Sequence, residues 1–121
     1  MKDVDSNVIV GKSKAFAIRC IRLRTYLCEN KCEYEISKQL LRSGTSIGAN
    51  VKEAIRGQSK ADFIAKMNIS LKEASETEYW LELLHETEYL TEEQFNSMYN
   101  DCKELLRILT SIVKTSKNGG A

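Results

Sequence analysis

Apolar residues recur along most of the chain at steps of three and four, the spacing of one face of an α-helix. In the first patterned segment, residues 13–31, the residues that share this face are Phe16, Cys20, Leu23 and Leu27. Ser13 precedes the stripe and is predicted to cap the helix. The pattern lapses over residues 30–33 and resumes at Ile36, which indicates a turn.

The second segment contains the stretch SGTSIGAN at residues 43–50, which is rich in turn-favouring residues. The apolar rhythm keeps its phase on both sides of this stretch, at Ile36, Leu40, Ile47 and Val51. A loop has no reason to preserve helical phase, so one helix is predicted over residues 34–56. The alternatives are a helix that breaks at Gly44 and restarts at Asn50, and a phosphate-binding loop, which lacks both the preceding strand and the Walker spacing.

Small and polar residues give the middle of this helix two predicted roles. Gly44 and Gly48 would let a neighbouring helix approach closely. Ser46, Asn50 and Glu53 recur at steps of four and three and are predicted to form a structural polar layer, either in the core or at a subunit boundary. Gly57 is predicted to end the helix in the left-handed conformation, and Ser59 to cap the next one.

The third helix, predicted over residues 60–89, carries more apolar residues than one core face can bury. Its core face comprises Ile64, Met67, Leu71, Ala74, Leu81 and Leu84. Tyr79, Trp80 and Leu83 point elsewhere, which indicates a subunit interface.

Thr91 and Gln94 predict a capping box at the start of the fourth helix, residues 92–115, with a flexible tail at 117–121. The turns between the four helices are short. The prediction is therefore a single all-α domain over residues 1–121, folded as an antiparallel up-down-up-down four-helix bundle.

Charge is distributed unevenly along the 121 residues. The net charge is +1, yet residues 1–72 carry 14 Lys and Arg against 7 Asp and Glu, whereas residues 73–121 carry 4 against 10. Cations gather on the first helix and are the predicted nucleic-acid-binding residues: Lys12, Lys14, Arg19, Arg22 and Arg24. The absence of a membrane span or signal-peptide core predicts a cytoplasmic protein, in which the four cysteines remain thiols.

The sequence offers little that resembles a catalytic centre. A single histidine, His85, prevents a persuasive nucleophile–histidine arrangement. Glu82 and His85 have the Glu-x-x-His spacing of di-iron bundles, but such a site needs a second copy and two further carboxylates. We therefore expect no enzymatic activity, no metal and no cofactor.

Three segments carry a resemblance to a known family: FAIRCIRLRTYL at 16–27, SKQLLRSGTSIGANVKEA at 37–54 and KADFIAKMNISLKEASETEYWLELL at 60–84. With the LRILTSIVKT end, they make residues 7–115 closely resemble the four-helix-bundle family of 23S rRNA intervening-sequence proteins. The resemblance implies a small bacterial protein without known enzymatic activity that forms homopentameric rings. A related branch, the accessory variability determinant of diversity-generating retroelements, is a basic pentamer that binds nucleic acid and a reverse transcriptase.

Residues and resemblance together lead to one expected function and one alternative. The expected function is a non-enzymatic ring that serves as a nucleic-acid or ribonucleoprotein accessory protein, with RNA or DNA as its partner. The alternative is an oligomeric scaffold that binds another protein, such as a reverse transcriptase, without direct nucleic-acid contact.

Overall fold

The computed structural model describes residues 4–119, which form four α-helices around one apolar core. The helices are α1 (Val4–Lys31), α2 (Glu35–Ile55), α3 (Lys60–Glu86) and α4 (Glu92–Lys117). This part of the chain contains no strand. The all-α prediction is confirmed.

α1 begins nine residues before the predicted start, so the prediction that Ser13 caps it is wrong. Ser13 is buried inside the helix, where its hydroxyl donates to the Val10 carbonyl at 3.3 Å. One turn earlier, Ile9 is fully buried. The apolar pattern fades at Ser13 because a small polar residue occupies a core position there.

The other helix ends differ from the predicted bounds by a few residues. α3 stops at Glu86, three residues early, and α4 runs to Lys117, two residues late. Residues 120–121 of the predicted flexible tail lie outside the described residues.

The turn between α1 and α2 is closed by a left-handed cysteine and a capping glutamate. Cys32 has a positive φ of 54°. The N–H group of Glu33, the next residue, donates to the Leu27 carbonyl at 3.0 Å. The Glu33 carboxylate accepts from the N–H groups of Ile36 at 2.8 Å and Ser37 at 2.7 Å. A carboxylate at this place satisfies free N–H groups and complements the helix dipole.

The predicted caps of α3 and α4 are confirmed. Ser59 accepts from the Asp62 N–H at 3.0 Å, and Thr91 and Gln94 bond reciprocally at 3.1 and 2.9 Å. The prediction for Gly57 is wrong, because Gly119 is the one glycine of positive φ in the described range. The Gly57 N–H instead donates to the Ala54 carbonyl at 3.0 Å.

Each helix packs against two neighbours. α2 lies between α1 and α3, and α4 also packs against both, so within the described residues α1 is diagonal to α3 and α2 is diagonal to α4. Side-chain contacts between α2 and α3 join Glu53 to Lys66 at 3.0 Å and Ser43 to Thr77 at 2.8 Å. The residue numbers of the contacting positions therefore decrease along α2 as they increase along α3.

The SGTSIGAN stretch lies wholly inside α2, so the predicted uninterrupted helix is confirmed. A Cβ atom added at Gly44 would lie 2.4 Å from Cys20 Sγ, and one at Gly48 would lie 3.3 Å from Ser13 Oγ. The predicted close approach is also confirmed, and its partner is α1. Gly44 is the tighter of the two positions.

The three residues of the predicted polar layer lie outside the core of the bundle, and a role for them at a subunit boundary stays a prediction. Ser46 and Asn50 are half-buried and bond to carbonyls of α2 itself, while Glu53 is exposed and pairs with Lys66. The physical reason is angular: Ser46 lies about 100° around the helix from the core residue Ile47.

Buried hydroxyl groups form the polar contacts of the core instead. Thr77 Oγ1 lies 2.8 Å from Ser43 Oγ and 2.8 Å from the Glu73 carbonyl oxygen. Ser70 donates to the Ile47 carbonyl at 2.8 Å. Because buried polar groups are costly when unpaired, these bonds hold α2 and α3 in one register.

We predict that Gly44→Ala lowers the free energy of unfolding by about 1 to 3 kcal/mol, because the new methyl group overlaps Cys20 Sγ. Urea denaturation measures the change. Gly48→Ala is the matched control, since the helix-propensity gain of about 1 kcal/mol offsets its milder contact. Equal effects of the two substitutions would contradict the tight packing at Gly44. The cost of Gly44→Ala should also shrink in a Cys20→Ala background.

Candidate nucleic-acid and subunit interfaces

Two of the five predicted nucleic-acid-binding cations are engaged with α4. Lys12 Nζ lies 3.3 Å from Glu104, and Arg19 lies 2.6 Å from Asp101 and also bonds to Ser97. These exposed pairs contribute at most about 1 kcal/mol each to stability, but they neutralise the two cations locally.

The remaining three cations do not share one face. Lys14 and Arg22 are exposed, with no salt-bridge partner among residues 4–119. Arg24 is half-buried, and its Nε atom is buried without a hydrogen-bond partner in the described range. The structure therefore leaves Lys14 and Arg22 as the freely accessible cations of the predicted set.

α3 presents an exposed apolar face that contains the three predicted interface residues. Tyr79 is 52% exposed, while Trp80 and Leu83 are half-buried. The rings of Tyr79 and Trp80 lie 5.3 Å apart, and the Trp80 Nε1–H donates to Glu76 at 3.0 Å. Ile69 extends this face towards the start of the helix. We call these four apolar residues the α3 apolar face.

A second apolar face lies on α1 and was missed from the sequence. Val10, Ile18 and Ile21 are 40 to 49% exposed and form this α1 apolar face. Ile21 directly follows the buried Cys20 in the sequence, yet it is 49% exposed. The available signal was the same as on α3: apolar residues occur around most of the circumference of α1, so one core face cannot bury them all.

Charges separate between the two ends of the bundle. Contacts such as Ser13–Gly48, Ile47–Ser70 and Asp5–Ser111 place residues 4–17, 46–72 and 105–119 in the same half. In the described range this half holds ten Lys and Arg against three Asp and Glu, while the other half, residues 18–45 and 73–104, holds seven against thirteen. The half with the α2–α3 turn is thus basic and the opposite half acidic.

Glu82 and His85, the pair with di-iron spacing, have separate partners. Glu82 accepts a hydrogen bond from the Tyr99 hydroxyl at 2.9 Å, and this bond raises the pKa of Tyr99 above its usual value. His85 Nε2 lies 2.9 Å from Glu92, and its ring stacks on Phe95 at 4.1 Å. Within the described residues, no three His, Cys, Asp or Glu side chains are placed to hold a metal ion.

The four cysteines differ in burial. Burial raises the pKa of the Cys20 thiol to about 12, partly offset by Arg19. Burial also raises the pKa of Cys102, whose Sγ lies 3.4 Å from the Ala74 carbonyl oxygen. Cys28 is half-buried and Cys32 is exposed. Since the thiolate is the reactive form, Cys20 and Cys102 are doubly protected.

We predict that Cys32 reacts fastest with a thiol reagent such as Ellman's reagent at pH 8, followed by Cys28. Cys20 and Cys102 should react only after unfolding in urea, because they are buried and protonated. Mass spectrometry of the labelled protein counts the modified thiols. Four thiols modified at one rate in the native protein would contradict this arrangement.

The described helices include none that is long and apolar enough to cross a membrane. Fold and surfaces together define a small all-α bundle protein with two exposed apolar faces and charge separated along its length. The family model for the 23S rRNA-intervening sequence protein matches residues 5–111, and the chain belongs to this family. The family membership expected from the sequence is confirmed.

A solved structure shares the fold. It is the crystal structure of a protein of unknown function from the S23 ribosomal protein family of Bacteroides thetaiotaomicron VPI-5482. The two chains are 55% identical with a TM-score of 0.91, over 93% of this chain and 100% of the other. No match is found among curated proteins.

Proposed function

We propose that this protein is a cytoplasmic, non-enzymatic accessory factor that binds nucleic acid or a ribonucleoprotein as a homopentameric ring of antiparallel up-down-up-down bundles. The main support for the proposed assembly is the pair of exposed apolar faces on α1 and α3. Membership of a family described by an intervening sequence of 23S rRNA supports nucleic acid as the proposed partner.

Contacts between neighbouring helices support the antiparallel arrangement. Along α1 and α4, Asp5 lies opposite Ser111 and Arg19 opposite Ser97. Along α3 and α4, Cys102 bonds to Ala74 and Glu92 to His85. In both pairs of helices, residue numbers increase along one helix while those of the contacting residues decrease along the other. This is the arrangement expected when short turns connect four consecutive helices.

The positions of the two apolar faces support a ring. α1 and α3 lie diagonally across the bundle within the described residues, so their exposed faces belong to different sides of it. A contact between two different surfaces is heterologous, and repetition of such a contact closes a ring when the rotation allows. Burial of both faces in subunit contacts would stabilise the ring by about 25 cal/mol for each Å² of apolar surface removed from water.

A ring would also bring together cations that one chain presents sparsely. Each chain has a net charge of +1, which attracts a polyanion only weakly, but repeated copies place several accessible cations along one surface. Lys14 and Arg22 are the exposed α1 cations, and each lies four residues from Ile18, at the edge of the proposed subunit contact.

We predict that Leu83→Glu or Trp80→Ala lowers the particle mass measured by light scattering while helicity persists. A carboxylate or a truncated side chain would disrupt a buried apolar contact on the α3 apolar face. Tyr34→Ala is the control, because Tyr34 is 51% exposed but lies outside both apolar faces. An unchanged mass in both α3 variants would place the interface elsewhere.

We further predict that the purified protein binds RNA or DNA with an affinity that falls as salt rises, because phosphate contacts release counterions. Fluorescence anisotropy over a salt series measures this dependence. Absence of binding at low salt, with capture of a protein partner that survives nuclease treatment, would replace the nucleic-acid function by the scaffold alternative.

A further inference from the structure

One end of the bundle carries more cations than acids. Lys52 and Arg56 lie at the end of α2, Lys60 opens α3, and Lys114 and Lys117 lie in the last turn of α4. All five side chains are exposed, and none forms a salt bridge with another residue of the 4–119 range. We call these five residues the basic end.

An open surface depression lies between the end of α2 and the start of α3, and Lys52, Arg56 and Lys66 line it together with Glu53 and Asp62. Glu53 is neutralised by Lys66 at 3.0 Å. Asp62 lies in the first turn of α3, where the helix dipole stabilises a carboxylate. The depression therefore keeps an excess of positive charge.

The chemistry of the basic end favours a polyanion over a protein or a membrane. The large apolar residues that the described part exposes are Val10, Ile18, Ile21, Tyr34, Ile69 and Tyr79. Val10 and Ile69 lie in the basic half, but neither lies in the helix ends that carry the five cations. Stable protein contacts need an apolar centre, and membrane-surface helices need an apolar face to insert. Nucleic-acid interfaces, in contrast, are polar, positively charged and wet.

We propose that the basic end, rather than the cation-bearing side of α1, makes the principal contacts with the sugar–phosphate backbone of nucleic acid. This inference rests on the proposed function and names the surface that performs it. Lys52 and Arg56 lie four residues apart on one helix, about 6 Å along its axis, so two exposed cations can bind the same strand. Such contacts hold the backbone without reading its sequence.

The test compares three variants that each remove two exposed cations: Lys52→Gln/Arg56→Gln at the basic end, Lys14→Gln/Arg22→Gln on α1, and Lys31→Gln/Lys38→Gln at the acidic end. Lys31 and Lys52 both lie in the last turn of a helix, so the first and third variants are matched in helix-dipole effects as well as in charge. Anisotropy of a labelled single-stranded RNA of mixed sequence, and of its DNA counterpart, is measured over a salt series. Light scattering and circular dichroism show whether each variant keeps its mass and helicity.

The expected result is a weaker affinity and a shallower salt dependence in the basic-end variant alone. At about 0.7 per phosphate for single strands, loss of two contacts reduces the slope of log K against log salt by about 1.4. The acidic-end variant should match the unmodified protein, and the α1 variant should change less than the basic-end variant.

Other outcomes separate the inference from the proposed function. If the unmodified protein binds RNA or DNA and the basic-end variant retains its affinity and slope, the inference is wrong while the nucleic-acid function stands. If the unmodified protein binds neither, both are wrong. Binding to phosphatidylserine vesicles but not to nucleic acid, or salt-sensitive stacking of the protein on itself in place of RNA binding, would equally overturn the inference.

Discussion

The close packing of α2 against both of its neighbours is the constraint on which the bundle depends. Towards α1, Gly44 leaves no room for a side chain beside Cys20. Towards α3, buried hydroxyl groups bond across the interface at Ser43–Thr77 and at Ser70–Ile47. Packing at van der Waals distance fixes the axial positions of α1 and α3 relative to α2. The contacts on the outer sides of the bundle depend on these axial positions.

Small residues in the core also explain why apolar surface remains outside it. Gly44 in α2, Ser13 in α1 and Ser70 in α3 occupy positions where larger apolar side chains would normally pack. Closely approaching helices enclose less volume between them, so part of the apolar content of α1 and α3 has no place in the core. The tight centre and the apolar residues on the outer sides of α1 and α3 are therefore features of the same two helices.

The sequence predicted the fold well where apolar periodicity or capping chemistry was local. The uninterrupted α2, the Ser59 cap and the capping box at Thr91 depend on neighbouring residues and were confirmed. The start of α1 was missed because Ser13 has the same chemistry as a cap and as a small core residue. Whether the polar layer lies in the core could not be predicted for a related reason, since helical spacing shows which residues share a face but not which face another helix covers.

The interfaces were harder to predict because they depend on how four helices are arranged. Arg19 and Arg22 stand three residues apart on α1, yet only Arg19 lies within reach of Asp101 on α4. The α1 apolar face could be identified only after the structure showed which apolar residues of α1 are buried in the core. The charge imbalance was seen between the two halves of the sequence, whereas the folded chain converts it into an imbalance between two ends.

This separation of charge makes the protein an electric dipole whose axis follows the helices. Such a molecule does not approach a polyanion in random orientations, because the electric field of the polyanion exerts a torque that turns the positive end forward before contact. Productive encounters then form a larger fraction of all collisions, and the acidic end faces away from the polymer. A protein with modest net charge thereby acquires a leading face and a trailing face.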